Sequence, residues 1–435
     1  MSYGCPASWV DSVNNQGLLQ VVQVLSDMNL VICKSYVCSD AGWFMDVFHV
    51  RDERGNKVTD QKLINYMQQA ISPQKQLRSS AEVKKTISSE AASEHTAIEM
   101  SGADRPGLFS EISAVLTDLR CNVVEAHAWS HNERLACIVH VSDQSTARRI
   151  DDPHRLARIK DHLSTVLRAD AARHDDRSGQ VKTDFQGHDC TVSHQERRLH
   201  QLMLAGHDYE GPVGPTRHMM QGRVAYNERG GRKKIVSIDR CTEKGYSVVH
   251  VDCKDRPKLI FDVVCALTDM QFVVFHASTL RHGSSTSQEY YIRRLNGCAL
   301  KTESERQLVT KCLEAAIERR VCEGVRLEVY AHDRLGLLSD VTRVLREHGL
   351  TVARADVATQ GEEVANVFYV RDISGNAVDM ETVNTVRKEM APLALQVKDE
   401  SPLQSTKSTK PLRFSFGDML RSQIGRLSPN FIAIE

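Results

Sequence analysis

The stretch DRPGLFSEISAVLTDL, from Asp104 to Leu119, decides the fold of this chain. It opens with the turn Asp-Arg-Pro-Gly and continues with apolar residues every three or four positions, at Leu108, Ile112, Val115, Leu116 and Leu119. This spacing predicts an amphipathic helix with one buried face. Asp104 is placed to cap the first turn of that helix, and Gly107 allows close approach to the backbone.

The same stretch recurs in three other places, so the chain is built from repeats. The copies are DRPKLIFDVVCALTDM at Asp255–Met270, DRLGLLSDVTRVLREH at Asp333–His348 and a shorter one, NNQGLLQVVQVLSDM, at Asn14–Met28. A strand-like run precedes each complete copy, and two β-rich runs and a second helix follow every copy. Those second helices begin at capping residues such as Asp152, Thr302 with Glu305, and Asp379.

This order predicts an α+β protein of tandem ferredoxin-like βαββαβ units, with antiparallel sheets and helices on one face. Units one to four span 1–71, 96–168, 245–321 and 325–398, with linkers at 72–95 and 169–244 and a tail at 399–435. A fourth strand is expected at LALQVK in unit four. Because only Cys322-Glu323-Gly324 separate units three and four, these two units are predicted to pack as one body.

The longer linker and the tail each contain one apolar pattern. The linker has low hydrophobic content, so we expect it to be mostly disordered around one helix, HQERRLHQLML. In the tail, an expected short docking face consists of Phe414, Phe416, Met419, Leu420 and Ile424.

Composition excludes several classes of protein. Lys plus Arg equals Asp plus Glu at 56 each, so neither nucleic acid nor membrane is an expected partner. No apolar run approaches the length of a transmembrane helix, and the first residues lack a signal-peptide pattern. Twelve cysteines without a CxxC pair favour reduced thiols in an intracellular, cytoplasmic protein. The basic cluster Arg232-Lys233-Lys234 leaves nuclear entry open.

The D-R-P-G-L turn, its helix and paired strands, with the runs GWFMDVFHVRDERGNKVTD and QEYYIRR, resemble the plant ACT-domain-repeat (ACR) family. The resemblance covers nearly the whole chain, and the C-terminal sensor region of bacterial PII uridylyltransferases is similar. It implies a non-enzymatic regulator that binds a free amino acid, with no catalytic domain. We expect no cofactor. Two kinds of protein contact are possible: a homo-oligomer that forms through ACT sheets, and a partner protein that binds the linker or the tail. Relatives carry the first strand of unit one where MSYGCPASWV stands here, so that unit is expected to be truncated and damaged as a binding site.

A turn of this kind has suitable chemistry for an amino acid. The first amides of a helix lack internal partners and lie at the positive end of its dipole, where a carboxylate fits. The ligand-binding candidates are Asp104, Arg105, Gly107 and Leu108 in unit two, Asp333, Gly336 and Leu337 in unit four, Asp255 in unit three and Gly17 in unit one. Lys258 replaces the glycine of unit three and is expected to crowd its pocket. Glu125, His127, His276 and Asp356 on second strands are expected to shape specificity.

Other interpretations stay open or are excluded. The same residues suit a purely structural turn, so a scaffold that binds no small molecule is the alternative function. Four His-Asp dipeptides, at 174–175, 188–189, 207–208 and 332–333, raise the possibility of a metal phosphohydrolase, and His194 with His200 that of a zinc site. Their linker positions and spacing favour solvated histidines and no metal. Nucleophile and phosphate-loop motifs are absent, so no enzyme is predicted.

Overall fold

The computed structural model describes residues 7–40, 43–52, 54–71, 95–169, 182–185, 194–211, 235–241, 245–321, 324–361, 363–391 and 393–398. The predicted docking face of the tail, the basic cluster at 232–234 and the His-Asp dipeptides at 174–175 and 188–189 lie outside these residues. Across the described ranges, no helix is both long and apolar enough to cross a membrane.

Helices and strands alternate in the predicted order. The helices are α1 (Ala7–Asp27), α2 (Gln61–Ile71), α3 (Leu108–Asp118), α4 (Pro153–Arg168), α5 (Gln195–Ala205), α6 (Leu259–Asp269), α7 (Glu303–Glu318), α8 (Leu337–Glu347) and α9 (Met380–Glu389), with a 3-10 turn at Asp208–Glu210. The strands are β1 (Val31–Asp40), β2 (Trp43–Arg51), β3 (Thr96–Ala103), β4 (Cys121–His131), β5 (Arg134–Asp143), β6 (Lys182–Phe185), β7 (Val236–Cys241), β8 (Tyr246–Lys254), β9 (Phe272–His282), β10 (Ser285–Arg294), β11 (Val325–His332), β12 (Leu350–Gln360), β13 (Glu363–Asp372) and β14 (Ala394–Lys398).

The units associate in alternate pairs. Units one and three share a six-stranded sheet in the order β2-β1-β9-β10-β8-β7, and units two and four share an eight-stranded sheet in the order β14-β11-β13-β12-β4-β5-β3-β6. We call these compact parts the 1/3 body and the 2/4 body. All strand pairs are antiparallel, which confirms the predicted fold class, and the expected fourth strand of unit four is β14.

The prediction that units three and four pack as one body is therefore wrong. A short connection limits only the distance along the chain, whereas pairing is decided by which strand edges match. The second strand of each unit would leave an edge of unpaired amides and carbonyls. That edge is satisfied by the second strand of the alternate unit, β1 with β9 and β4 with β12.

The periodic apolar residues form the core that their spacing predicts. In α3 the side chains of Leu108, Ile112 and Leu116 are each 1% exposed. They pack into one cluster with the equivalent residues of α8, among them Leu337 and Leu345. Burial of each such side chain contributes about 1.5–3 kcal/mol, so the repeated pattern stabilises the pairing as well as each unit.

At the repeated turn, the residue that precedes the helix is not the predicted capping aspartate. Asp104 does not cap α3, because the residue before the helix is Gly107 in a left-handed conformation (φ 81°) with no side-chain cap. The Asp104 carboxylate instead accepts hydrogen bonds from the Arg105 amide and the Ser130 hydroxyl. The second helices begin as predicted, for example with Asp379 accepting from the Thr382 amide at 2.7 Å.

The described part of the segment between units two and three contains more secondary structure than the one predicted helix. Its expected helix is confirmed as α5, and in addition β6 pairs with β3 and β7 pairs with β8. Leu199, Leu202 and Met203 of α5 pack on Trp129 and its neighbours Ala136 and Ile138. Ala128, next to Trp129, belongs to the α3 core, so α5 covers the opposite face of the sheet.

Among the linker histidines that the structure describes, His200 differs from the predicted solvated residue, whereas His207 is exposed as predicted. His200 is 1% exposed, and its ring lies edge-on to Trp129 at 4.9 Å. Asp208, from one of the His-Asp dipeptides, is buried and paired with Arg319 at 2.7 Å and with His131 at 2.9 Å. Asp208 thus anchors the end of the α5 segment.

Candidate functional site

The repeated turns of units two and four lie at the contact between α3 and α8, and they differ in what covers them. A Cβ atom at Gly107 would lie 2.7 Å from Cδ of Arg346, whereas one at Gly336 would lie 3.2 Å from Cγ2 of Thr117. Arg346 and Thr117 occupy the same position in their repeats. The long arginine therefore covers the turn of unit two, and the short threonine leaves space beside the turn of unit four.

That space is a cleft of about 20 Å³. Asp333 and Gly336 line it from the turn, Thr117 and Asn122 from unit two, and Asn366 from β13. A volume of this size holds one or two water molecules. The cleft is thus narrow in the described arrangement.

Polar atoms without partners line this cleft. Asn366 is 1% exposed, and neither its Nδ2 nor its Oδ1 has a hydrogen-bond partner. The hydroxyl of Thr359, which also lines the cleft, has no partner either. Burying such a group unpaired costs about 1–3 kcal/mol, and native proteins usually satisfy it with solvent or a ligand. The cleft is therefore suited to a polar guest.

The turn supplies complementary charge. Gly336 precedes α8 in a left-handed conformation (φ 77°), and no side chain caps the first turn of that helix. The positive end of the helix dipole therefore lies at the cleft, and the acidic residue of that first turn, Asp340, is paired with Arg334 at 2.6 Å. Asp333 is half-buried at the same turn, and Asn122 Nδ2 donates to its Oδ2 at 3.5 Å. A carboxylate acceptor and a helix start thus flank one small space.

The equivalent groups in unit two are already engaged with each other. Ser130, at the position of Thr359, donates to Asp104, and burial raises the pKa of Asp104 to about 6. Cys137 takes the place of Asn366 and is completely buried, which raises the pKa of its thiol. Arg105 pairs with Glu111 at 2.7 Å. Among the candidates of unit two, Asp104 and Arg105 are therefore paired within the unit, and Gly107 is covered by Arg346.

The candidates of the 1/3 body are placed differently again. Asp255 is paired with Arg281 at 2.9 Å, and burial raises its pKa. Lys258 adopts the left-handed conformation (φ 64°) that glycine takes in units two and four. Gly17 lies in the interior of α1 and not at a strand-to-helix turn.

The second-strand residues Glu125, His127 and Asp356 form a buried network at the junction of β4 and β12. His127 Nδ1 lies 2.9 Å from Asp356 Oδ1, and its Nε2 lies 3.0 Å from Glu125 Oε1. Burial lowers the pKa of His127, but the bonds to both carboxylates outweigh it and raise the pKa to about 9. Val357 lines the cleft and side chains alternate along a strand, so Asp356 points away from the cleft. These residues join units two and four, and they do not line the cleft, contrary to the expectation that they shape its specificity. The fourth such residue, His276, lies in the 1/3 body.

Sequence reasoning missed Thr117, Asn122 and Asn366. A signal for Asn366 was present, because it is a polar residue in the apolar run VANVFYV, where the repeat of unit two has a cysteine.

For metals, no group of three or more His, Cys, Asp or Glu side chains is placed to hold an ion within the residues that the structure describes.

Three family models match the chain. They are the ACR family N-terminal ACT domain at residues 4–78 and the ACT domain at residues 94–163 and 325–388. The ACT domain-containing protein ACR2 of Arabidopsis thaliana is 52% identical, and the match covers 98% of this chain and 92% of that protein. ACR3 of the same plant is 47% identical over 93% of this chain and 86% of that protein.

Solved structures add little. Aspartate kinase from Synechocystis matches with 10% identity and a TM-score of 0.27, over 73% of this chain and 56% of that chain. A similarity at this level carries no information about function.

Proposed function

Because this chain belongs to the ACR family of ACT-domain proteins, we propose that it is a non-enzymatic regulatory protein that binds a free amino acid. The cleft beside Gly336 is the proposed site. The observation that carries the proposal is the Asn366 side chain, which is buried in that cleft with both polar atoms unpaired. A bound guest with a donor and an acceptor would satisfy both atoms.

An amino acid has the matching charges. Its carboxylate would lie at the uncapped start of α8, where Leu337 begins the helix, because the helix dipole favours an anion there. Its ammonium group would lie near Asp333, the carboxylate on the other side of the turn. The Asn366 amide and the Thr359 hydroxyl would then bond the remaining polar atoms.

Binding would act through the contact between units. The cleft of about 20 Å³ has to widen to admit even a small amino acid, and its walls belong to units two and four. A ligand that binds the wider arrangement better shifts the equilibrium toward it. The α3–α8 contact is thus the proposed element that transmits binding to a partner protein.

The small volume also favours the second candidate function, a scaffold of ACT units that binds no small molecule. In that case the cleft would hold only water, and its walls would merely pack. The two functions make opposite predictions for a binding experiment.

We expect a free amino acid to bind the full chain in a calorimetric screen of the twenty proteinogenic amino acids, and Thr117→Arg to abolish that binding. This variant copies into unit four the covering that Arg346 gives unit two, without altering a glycine. The matched control is Arg346→Thr, which changes the equivalent position on the other helix and should leave the affinity within threefold of the wild type. Absence of heat for every amino acid would support the scaffold instead. Binding that survives in Thr117→Arg would refute this location for the site.

Homo-oligomers and an intracellular location stay predictions. The nine cysteines in the described part of the chain are free thiols, in keeping with a reducing compartment. The second-strand edges pair within the chain, so a homo-oligomer would have to use other edges.

A further inference from the structure

The sheet of the 1/3 body has an exposed apolar surface on the face opposite its core. Tyr36 is 42% exposed, Met45 57%, Val47 41% and Leu280 46%. Tyr36 and Val47 are directly opposite in the β1–β2 register. Val37, the neighbour of Tyr36, is buried in the core of this body, so alternation places these residues on the other face. We call this surface, made of Tyr36, Met45, Val47 and Leu280, the open face.

Aromatic rings extend the open face across neighbouring strands. The ring of Tyr36 meets that of His276 edge-to-face at 5.0 Å, and His276 meets Tyr291 at 4.8 Å. The rings come from β1, β9 and β10, so the patch is continuous. Large side chains exposed together in this way mark interaction surfaces.

The 2/4 body shows how this chain covers such a surface. Trp129 occupies the position in its repeat that Leu280 has in unit three, yet it is 1% exposed, against 46% for Leu280. The exposure differs because Leu199, Leu202 and Met203 of α5 pack on Trp129. An amphipathic helix from outside the repeat units therefore covers one sheet, and the corresponding face of the other remains open.

The tail contains a second segment with the same pattern. Phe416, Met419 and Leu420 have the spacing of Leu199, Leu202 and Met203, and Ile424 continues the stripe by one helical turn. Asp418 and Arg421 fall between them, on the polar side of a helix. Other segments outside the described ranges, such as 72–94 and 212–234, lack this spacing of large apolar residues.

The tail between β14 and this segment is long. Seventeen residues separate Lys398, the end of β14, from Phe416, and an extended chain of that length spans about 60 Å. A tether within one chain raises the effective concentration of its end, into the millimolar range for short linkers. A tethered helix therefore needs a lower intrinsic affinity for docking than a free peptide would need.

We propose that residues 414–424 form an amphipathic helix that docks on the open face of the 1/3 body, as α5 does on the 2/4 body. Phe416, Met419 and Leu420 would pack against Tyr36, Met45 and Val47. The proposal is independent of amino-acid binding.

Hydrogen exchange on the full chain tests this proposal. We expect backbone amides of residues 416–424 to exchange at least tenfold more slowly than in a peptide of the tail alone. The double variant Met45→Asp with Val47→Asp, and separately Phe416→Asp with Leu420→Asp, should abolish that protection. The matched control is Leu308→Asp, an exposed leucine (47%) on α7 of the same body, which should leave the protection intact.

The competing occupants give different results. Unprotected tail amides in the wild type would overturn the proposal, and so would protection that survives the change at Met45 and Val47. Protection that rises with protein concentration, together with a dimer in light scattering, would show that a second copy covers the open face instead. Unchanged exchange in β1 and β2 establishes that the face variants remain folded.

Discussion

Replacing Asn366 by leucine should stabilise the ligand-free protein and weaken its ligand binding at the same time. The side chain is 1% exposed, and both of its polar atoms lack partners. Leaving a buried polar group unpaired costs about 1–3 kcal/mol, and leucine has the same branched arrangement of side-chain heavy atoms without that penalty. We therefore expect Asn366→Leu to raise the free energy of unfolding of the 2/4 body by about 1–3 kcal/mol.

In a body of this size, each kcal/mol raises Tm by about 2–4 °C. The measurement is thermal or urea unfolding of the full chain without amino acids, with hydrogen exchange at the β13 amides as a local readout. In the presence of the amino acid found by calorimetry, loss of two hydrogen bonds of about 1 kcal/mol each should weaken binding roughly 30-fold.

Unit two provides the matched control. Ser130, equivalent to the unpaired Thr359, donates a hydrogen bond to the buried Asp104. Ser130→Ala should therefore destabilise the protein by about 1–2 kcal/mol, whereas Thr359→Val should be neutral or stabilising. If Asn366→Leu lowers the free energy of unfolding by more than about 1 kcal/mol, the reasoning is refuted. Such a loss would mean that the Asn366 amide makes stabilising hydrogen bonds in the ligand-free protein.

Two further predictions concern the paired sheets and unit three. The folded pKa of His127 is about 9, above its ordinary value of about 6.5. Its stabilising contribution is therefore complete below pH 6.5 and lost as the pH rises to 9, by about 3 kcal/mol at most. Urea unfolding between pH 6 and 9 should show this decline in the wild type and a flatter profile in His127→Gln; parallel profiles would contradict it. For unit three, Lys258→Gly should stabilise the 1/3 body by about 1 kcal/mol, because Lys258 has φ 64° and side chains disfavour that conformation. Thermal unfolding measures this, and a lower Tm would show that contacts of the lysine side chain outweigh the strain.

Local patterns in the sequence identified the repeated elements correctly. The spacing of Leu108, Ile112 and Leu116 predicted α3 and its buried face, and the same spacing in the other copies predicted α6 and α8. Such patterns succeed because a helix of 3.6 residues per turn places neighbours along the chain on one face. The apolar spacing in the linker likewise predicted α5.

Tertiary structure decided which units pair and which turn is open. The pairing of β4 with β12 depends on strand edges far apart in sequence, and a short connection between units three and four could not reveal it. The turns at Gly107 and Gly336 read almost alike, yet Arg346 covers one and Thr117 the other. Those covering residues come from the partner unit of each turn, so no motif around either glycine contains them.

The repeated stretch Asp104–Leu119 by itself determined the fold of each unit, since helix periodicity and turn chemistry act within a few residues. Whether a copy of that stretch has an open cleft was decided by the unit packed beside it. The unpaired amide of Asn366 has the same origin, because burial by several distant elements removed it from water. Sequence thus determined which turns could form a site, and packing between units determined that the turn of unit four has the cleft that we propose as the site.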